Sequence, residues 1–304
     1  MIITRFAPSP TGDLHLGGAL VALESFWRAR TRDGRIVLRV EDIDTPRVVK
    51  ESEARIEEDL AWLGFSFDER VRQSERTAAY EAALARLSPW TYPCDCSRKE
   101  IASIASAPHE GEEIAYPGTC RDRDPARKMK RSPAIRLRLP ARIVSFDDDF
   151  AGPISTELSQ SGDIVLRRGD GVFAYQLVVV VDDLASHVTE VVRGDDLLSS
   201  TARQIYVFEC LGASPPRYAH VPIVRDRDGV RLAKRTRGAS VRELREGGVS
   251  KERVLGELAF ALGLIASAHA VTLEELLAQR ERIAKLHALT IPEDFLHLPS
   301  ARGR

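Results

Sequence analysis

The 304-residue chain carries almost no net charge, with 44 Lys and Arg standing against 45 Asp and Glu. Any contact with a polyanion must therefore come from local patches and not from a whole-molecule field. A charged-then-apolar leader is also missing, and the longest β-branched run, Val178 to Val181, stops at Asp182 and Asp183. That run is far too short to cross a bilayer, so a soluble, cytoplasmic protein with no membrane contact is expected. Cysteine is scarce, at four residues. Without a secretory leader, four thiols argue against a disulfide framework and for metal, catalysis or burial. There is no internal repeat and no low-complexity tract. What is present is enough apolar sequence, 43%, to bury a full core in two or so units.

The stretch RFAPSPTGDLHLGG, from Arg5 to Gly18, is the first informative one. Pro8 and Pro10 each lack a backbone donor, so a strand ending near Phe6 cannot continue through them. After Gly17 and Gly18, Leu16, Leu20, Leu23 and Trp27 recur at helical spacing, which puts the glycines in the first turn of an amphipathic helix. Strand, tight loop and helix follow in order. Glycines at such a junction let a ligand approach the backbone, and the helix N-terminus offers unpaired N–H groups and a positive dipole end to phosphate. A nucleotide is the expected guest.

From Met1 to about Trp90 strand and helix alternate, with a helical stretch expected from about Pro46 to Leu63. This βαβ rhythm predicts a Rossmann-like parallel sheet with ligands at the carboxyl ends of its strands. Glu41, Asp42 and Asp44 follow the strand RIVLRV and so share that edge with the glycine loop. Between about 90 and 135 the rhythm breaks, which suggests an insertion. The α/β pattern resumes in GVFAYQLVVVVDD and EVVRGDDLLSSTARQIYVFECLG, where Tyr175 could be an ordinary sheet aromatic, and helical segments follow Leu232.

Within the insertion, Cys94, Cys96 and Cys120 could converge on a tetrahedral zinc ion, with water, His109 or, less usually, the Tyr116 phenolate as fourth ligand. Buried inert thiols are the plainer alternative, and Cys210, in an apolar run, is expected to be one. Two basic segments remain. RDRDGVRLAKRTRG holds Arg231, Lys234, Arg235 and Arg237 between Gly229 and Gly238, and a lysine there could neutralise charge developing on phosphate. Arg121 to Arg142 holds nine Lys or Arg against two Asp, which suits an RNA backbone or a solvated connector.

These motifs resemble those of class I glutamyl-tRNA synthetases. His15, Leu16, Gly17 and Gly18 stand where the family has His-Ile-Gly-His, and Arg231 to Arg235, RLAKR, where it has Lys-Met-Ser-Lys-Ser. VEDIDTPR, FAYQLVVVVDD and VVRGDDLLSSTARQIY also fall in the family's order, so the resemblance covers roughly Met1 to Gly238. It implies a class I catalytic domain over 1–240, with the insertion at about 90–135 carrying one structural Zn2+ on Cys94, Cys96, Tyr116 and Cys120. A short helical region over 241–304, without an anticodon-binding domain, is then expected. This short form is similar to the glutamyl-Q tRNA(Asp) synthetase family, which activates L-glutamate with ATP and Mg2+ and esterifies queuosine at the wobble position of tRNA(Asp). The expected partners are L-glutamate, ATP and the anticodon stem-loop of that tRNA, and a monomer is expected.

By the same resemblance, His15 and Lys234 are the catalytic pair, and His15, Gly17, Gly18 and Lys234 bind ATP. Arg5 and Arg193 pair with the carboxylates of glutamate, Glu41 holds its ammonium, Tyr175 hydrogen-bonds it, and Phe6, Ala7, Pro8 and Ser9 line the pocket. Planar guanidinium forks suit a dianionic amino acid, because each can grip a carboxylate through two hydrogen bonds. Arg231 stands for the first lysine of the lysine motif and keeps its charge, Ala233 and Arg235 replace its two serines and remove both hydroxyls, and Gly18 stands where the first motif has its last histidine. Two alternatives remain: a truncated synthetase charging tRNA(Glu), and a non-catalytic, zinc-stabilised RNA-binding paralogue.

Overall fold

The computed structural model describes residues 1–104, 115–222, 240–283 and 285–286. In chain order the main elements are β1 (Ile3–Phe6), α1 (Leu16–Arg30), β2 (Arg35–Val40), α2 (Ser52–Trp62), β3 (Glu69–Arg72) and α3 (Thr77–Arg86). Next come β4 (Thr91–Cys94), α4 (Arg98–Ile104), β5 (Ala134–Leu137), β6 (Ile143–Asp148), β7 (Gly152–Glu157), β8 (Ile164–Arg167) and α5 (Tyr175–Ala185). The chain continues through β9 (Glu190–Gly194), α6 (Leu198–Cys210), β10 (Arg217–Val221), α7 (Val241–Glu246), α8 (Lys251–Ala261) and α9 (Leu273–Ala278). They fall into two compact units, one of Met1–Arg72, Val188–Leu198 and Arg217–Arg304, the other of Gln73–His187 and Ser199–Pro216.

The first unit is built on parallel strands. β1 pairs with β2, Arg5 lying opposite Val37, and β2 pairs with β3, while β9 pairs in parallel with β10. Thr189, just before β9, donates its N–H to the Ile3 carbonyl at 2.9 Å, so β9 runs along the free edge of β1. The chain thus moves outward from β1 on one side and returns on the other. Such a reversal leaves a crevice beyond the carboxyl ends of the two central strands, here Phe6 and Gly194. Leu16, Leu20, Leu23 and Trp27 are all buried, as their spacing predicts. The same helix α1 buries charge: Arg28 pairs with Glu24 and Glu190, and Arg282 also reaches Glu24. Trp27 Nε1 donates to the carbonyls of Leu276 and Gln279, which lashes the α9 segment to α1.

Two sequence expectations are corrected. The stretch from Pro46 to Leu63 is not one helix: Pro46 sits in a 3-10 turn, and α2 starts only after Glu51, whose φ of 65° breaks the helical path. Tyr175, which could have been an ordinary sheet aromatic, instead opens α5, and Leu177 to Asp183 of that helix, the valine run among them, are all buried. Valine tolerates a helix once its restricted rotamer fits the packing, and burial on every side outweighs the small propensity cost.

In the second unit α5 carries the fully buried Asp182, which accepts from Gln73 Nε2 at 2.8 Å, Arg76 Nε at 2.6 Å and the Tyr80 hydroxyl at 3.0 Å. This ties α3 to α5. Strands β4, β5 and β8 form an antiparallel sheet, and β6 with β7 forms a hairpin.

Candidate functional site

The chain leaves β1 after four buried residues. The loop that follows is pinned to the end of β2 by the Glu41 N–H, which donates to the Pro8 carbonyl at 3.0 Å. Phe6 is buried, Ala7 and Pro8 are half-buried, and Ser9 is exposed. His15 is the N-cap of α1, in extended geometry, and its Nδ1 accepts the Gly18 N–H at 3.0 Å. A ring nitrogen that accepts carries no proton, so the neutral imidazole keeps its proton on Nε2, available to a phosphate oxygen. Loss of solvation under its neighbours holds the His15 pKa below the ordinary histidine value, against the pull of the Asp196 carboxylate. Part of the residue nevertheless remains open to solvent. Gly18 is close-packed too, since a Cβ there would lie 2.9 Å from Leu14 Cδ1 and 3.7 Å from the His15 ring.

Arg5 and Arg193 are buried near the ends of β1 and β9. Arg5 donates to the Val192 carbonyl at 2.8 Å, which joins the two strands through a side chain. Arg193 donates its Nε to His220 Nε2 at 3.0 Å. Glu41, half-buried, accepts from Arg39 at 3.3 Å. The first unit therefore gathers Arg5, the loop of Phe6 to Ser9, His15, Glu41 and Arg193 at the carboxyl-end edge of its strands. Tyr175 belongs to the second unit, as the first residue of α5. Arg231, Ala233, Lys234, Arg235 and Arg237, with His109, lie outside the described residues.

Sequence reasoning missed the anchor that follows the basic loop. Ser240 bridges His15 in antiparallel fashion, and Val241 donates its N–H to the Leu14 carbonyl at 2.8 Å. Ser240 also caps α7 in a reciprocal box with Glu243, a pattern that the Ser-x-x-Glu spacing could have signalled. Arg245 and Arg242 of α7 approach the fully buried Asp59 of α2 at 3.5 and 4.0 Å. Burial pushes the Asp59 carboxyl up to about 6, against the two arginines.

The second unit brings the three predicted thiols together. Cys94, Cys96 and Cys120 place their sulfurs within 4.8 Å of one another, with Cys96 and Cys120 at 3.6 Å. Tyr116 Oη stands 3.3 Å from Cys94 Sγ and 3.8 Å from Cys96 Sγ, and it accepts the Cys120 N–H at 2.8 Å. Zinc–sulfur bonds of about 2.3 Å at tetrahedral angles set sulfurs about 3.8 Å apart, so the donor set fits that ion. Asp95, between two of the thiols, accepts from Arg127 at 2.8 Å, and Arg127 also reaches Cys120 Sγ at 3.4 Å. The Arg136 guanidinium lies 3.7 Å over the Tyr116 ring. Such partners orient ligands and offset the negative charge that thiolates and phenolate bring to a metal.

Burial raises the Cys94 thiol, but hydrogen bonds from Tyr116, the Cys96 backbone and Arg136 outweigh it and leave a net lowering. Cys96 is pushed up to about 11 by burial and the neighbouring Cys120 thiol. Burial and Cys94 hold the Tyr116 phenol far above its usual range. Tyr116 itself fits its place through a bridge to Gly162. Cys210, expected in the core, is only half-buried on α6.

The catalytic-domain model described as class I tRNA synthetases (E and Q) matches residues 1–289. The glutamyl-Q tRNA(Asp) synthetase of Nitratidesulfovibrio vulgaris is 46% identical over 283 residues, 87% of each chain. A protein of the same name from Geobacter sulfurreducens is 50% identical over 257 residues, 82% of this chain and 81% of that one. The glutamate–tRNA ligase of a Hydrogenobaculum species is 41% identical over 85% of this chain, which spans 58% of that protein. Among solved structures, a glutamate tRNA ligase from Elizabethkingia meningosepticum in complex with its amino acid superposes with a TM-score of 0.83. Its identity is 26%, over 97% of this chain and 68% of that one.

Proposed function

Since the chain belongs to the class I tRNA synthetase (E and Q) catalytic-domain family, we propose that it activates L-glutamate with ATP, without needing tRNA for that step. It then transfers the glutamyl group to queuosine at the wobble position of tRNA(Asp). The observation that carries the amino-acid half is the pair of buried arginines, Arg5 and Arg193, near the ends of β1 and β9. Both side chains sit at the carboxyl-end edge of the strands, and the planar guanidinium fork matches the geometry of the carboxylates that a dianionic amino acid supplies. The likeness to relatives named glutamyl-Q tRNA(Asp) synthetase supports the queuosine half.

In this reading the α-carboxylate of glutamate attacks the α-phosphorus of ATP. The bond from that phosphorus to the bridging oxygen breaks, and pyrophosphate leaves with the electron pair. His15 Nε2–H and the first-turn N–H groups of α1 meet the phosphates, and Lys234 offsets the charge that develops on them. A queuosine ring hydroxyl then attacks the carbonyl carbon of the adenylate, loses its proton, and expels AMP. Arg5, Arg193, Glu41 and Tyr175 orient the amino acid, with Phe6, Ala7, Pro8 and Ser9 shaping the pocket, so positioning supplies much of the acceleration. Mg2+ accompanies ATP as part of the substrate. Cys94, Cys96, Cys120 and Tyr116 would hold a structural Zn2+, whose contribution is to fix the fold of the insertion.

The test is incorporation of labelled glutamate, with ATP, into tRNA(Asp) bearing queuosine, unmodified tRNA(Asp) and tRNA(Glu). Label confined to the queuosine-bearing tRNA supports the proposal. Label on the 3' end of tRNA(Glu) replaces it with the charging activity named for the Hydrogenobaculum relative, and no label on any of the three overturns both. A wild-type rate of adenylate formation in Lys234→Ala would remove that lysine from the mechanism.

A further inference from the structure

Arg193 and His220 stand directly opposite each other in the parallel β9–β10 pair. Both are buried, with 4% and 1% of their surface exposed. Arg193 Nε donates to His220 Nε2 at 3.0 Å, so His220 is held as the neutral tautomer with its proton on Nδ1. Tyr218, on the same strand, stacks with the His220 ring at 6.1 Å between centroids, and the Arg193 guanidinium carbon lies 5.6 Å from the Tyr218 ring. The five N–H groups of arginine share one rigid plane. Fixing Nε therefore fixes the plane, and with it the direction of the terminal two-nitrogen fork.

We infer that His220 is a positioning residue that orients the Arg193 fork toward a carboxylate of the amino-acid substrate. This rests on the reading of Arg193 as a glutamate ligand. Ordered in advance, the fork meets the carboxylate without giving up side-chain freedom at the moment of binding. Without the imidazole acceptor, Nε would be buried with a missing partner, or the guanidinium would turn to find another.

The experiment is glutamate-dependent ATP–pyrophosphate exchange, titrating glutamate and ATP separately. His220→Phe keeps a ring but no acceptor, and its KM for glutamate is expected to rise about tenfold or more, with KM for ATP within about twofold. His220→Gln can return an oxygen to Nε and is expected to recover most of the loss. Combined with Arg193→Gln, His220→Phe should add nothing, because residues that act as one unit are not additive. Should His220→Phe fail to fold, His220→Asn, whose amide stays near the Nδ1 position, is expected to behave in its place.

If Arg193→Gln alone leaves the glutamate KM unchanged, the reading of Arg193 falls and this inference with it. If Arg193→Gln is impaired while His220→Phe is not, only this inference falls. Equal changes in both KM values, or a further loss in the double variant, would also overturn it.

Discussion

His15 caps α1 through Nδ1, and the proposed mechanism gives its Nε2 a different end, so substitution can separate the two. Asparagine is a good N-cap, whereas alanine is not. His15→Asn is therefore expected to keep thermal stability near wild type and to lower adenylate formation about a hundredfold, through loss of the Nε2 donor. His15→Ala should lose the activity and also about 1 kcal/mol of stability. Calorimetry beside pyrophosphate exchange makes the comparison, and equal stability of the two variants would refute the capping role. Asp59 offers a test of sign. Its carboxyl titrates near 6 when folded, against 3.8 ordinarily, so the native state binds more protons than the unfolded chain between those values. Its contribution then falls as pH rises through that window, by up to about 1.4 kcal/mol per pH unit. Asp59→Asn should flatten this slope, as read from melting curves between pH 4 and 7.

At the scale of elements, Gly162 decides whether Tyr116 reaches the thiols. Its φ is +66°, and a Cβ there would lie 2.4 Å from the Tyr116 backbone nitrogen and 2.7 Å from its carbonyl oxygen. Gly162→Ala is expected to cost about 2 kcal/mol or more and to lower bound metal, measured by elemental analysis; an unchanged metal content would separate Tyr116 from the site. The β1–loop–α1 unit was legible because Pro8, Pro10, Gly17 and Gly18 punctuate the chain where the backbone must turn. The Cys94, Cys96 and Cys120 cluster was legible through spacing. α5 was not, since a valine run carries strand propensity that only its packing overrides. His220 was invisible for another reason: the register of two strands chooses its partner, 27 residues away in sequence, and no local pattern encodes that register.

At the scale of the molecule, the two units have separate sources of order. The first rests on parallel strands and the buried charges of α1, the second on the Asp182 knot and the cysteine cluster. In protein loaded with Zn2+, chelation is expected to raise amide hydrogen exchange in peptides from 91–104 and 115–137, while peptides covering β1 and β2 keep their protection. Loss of protection in both at once would mean that the ion stabilises the whole chain. The junction of β1 with the β9 segment, where Thr189 meets Ile3, bears on the life of the chain before it is complete. At a ribosome's pace of about 5–20 residues per second, β1 waits about 10 to 40 s for that neighbour to be synthesised. For that interval β1 lacks its β9 neighbour on one edge, so the newborn chain is expected to need chaperones more than the finished chain does, and more so where synthesis is slow.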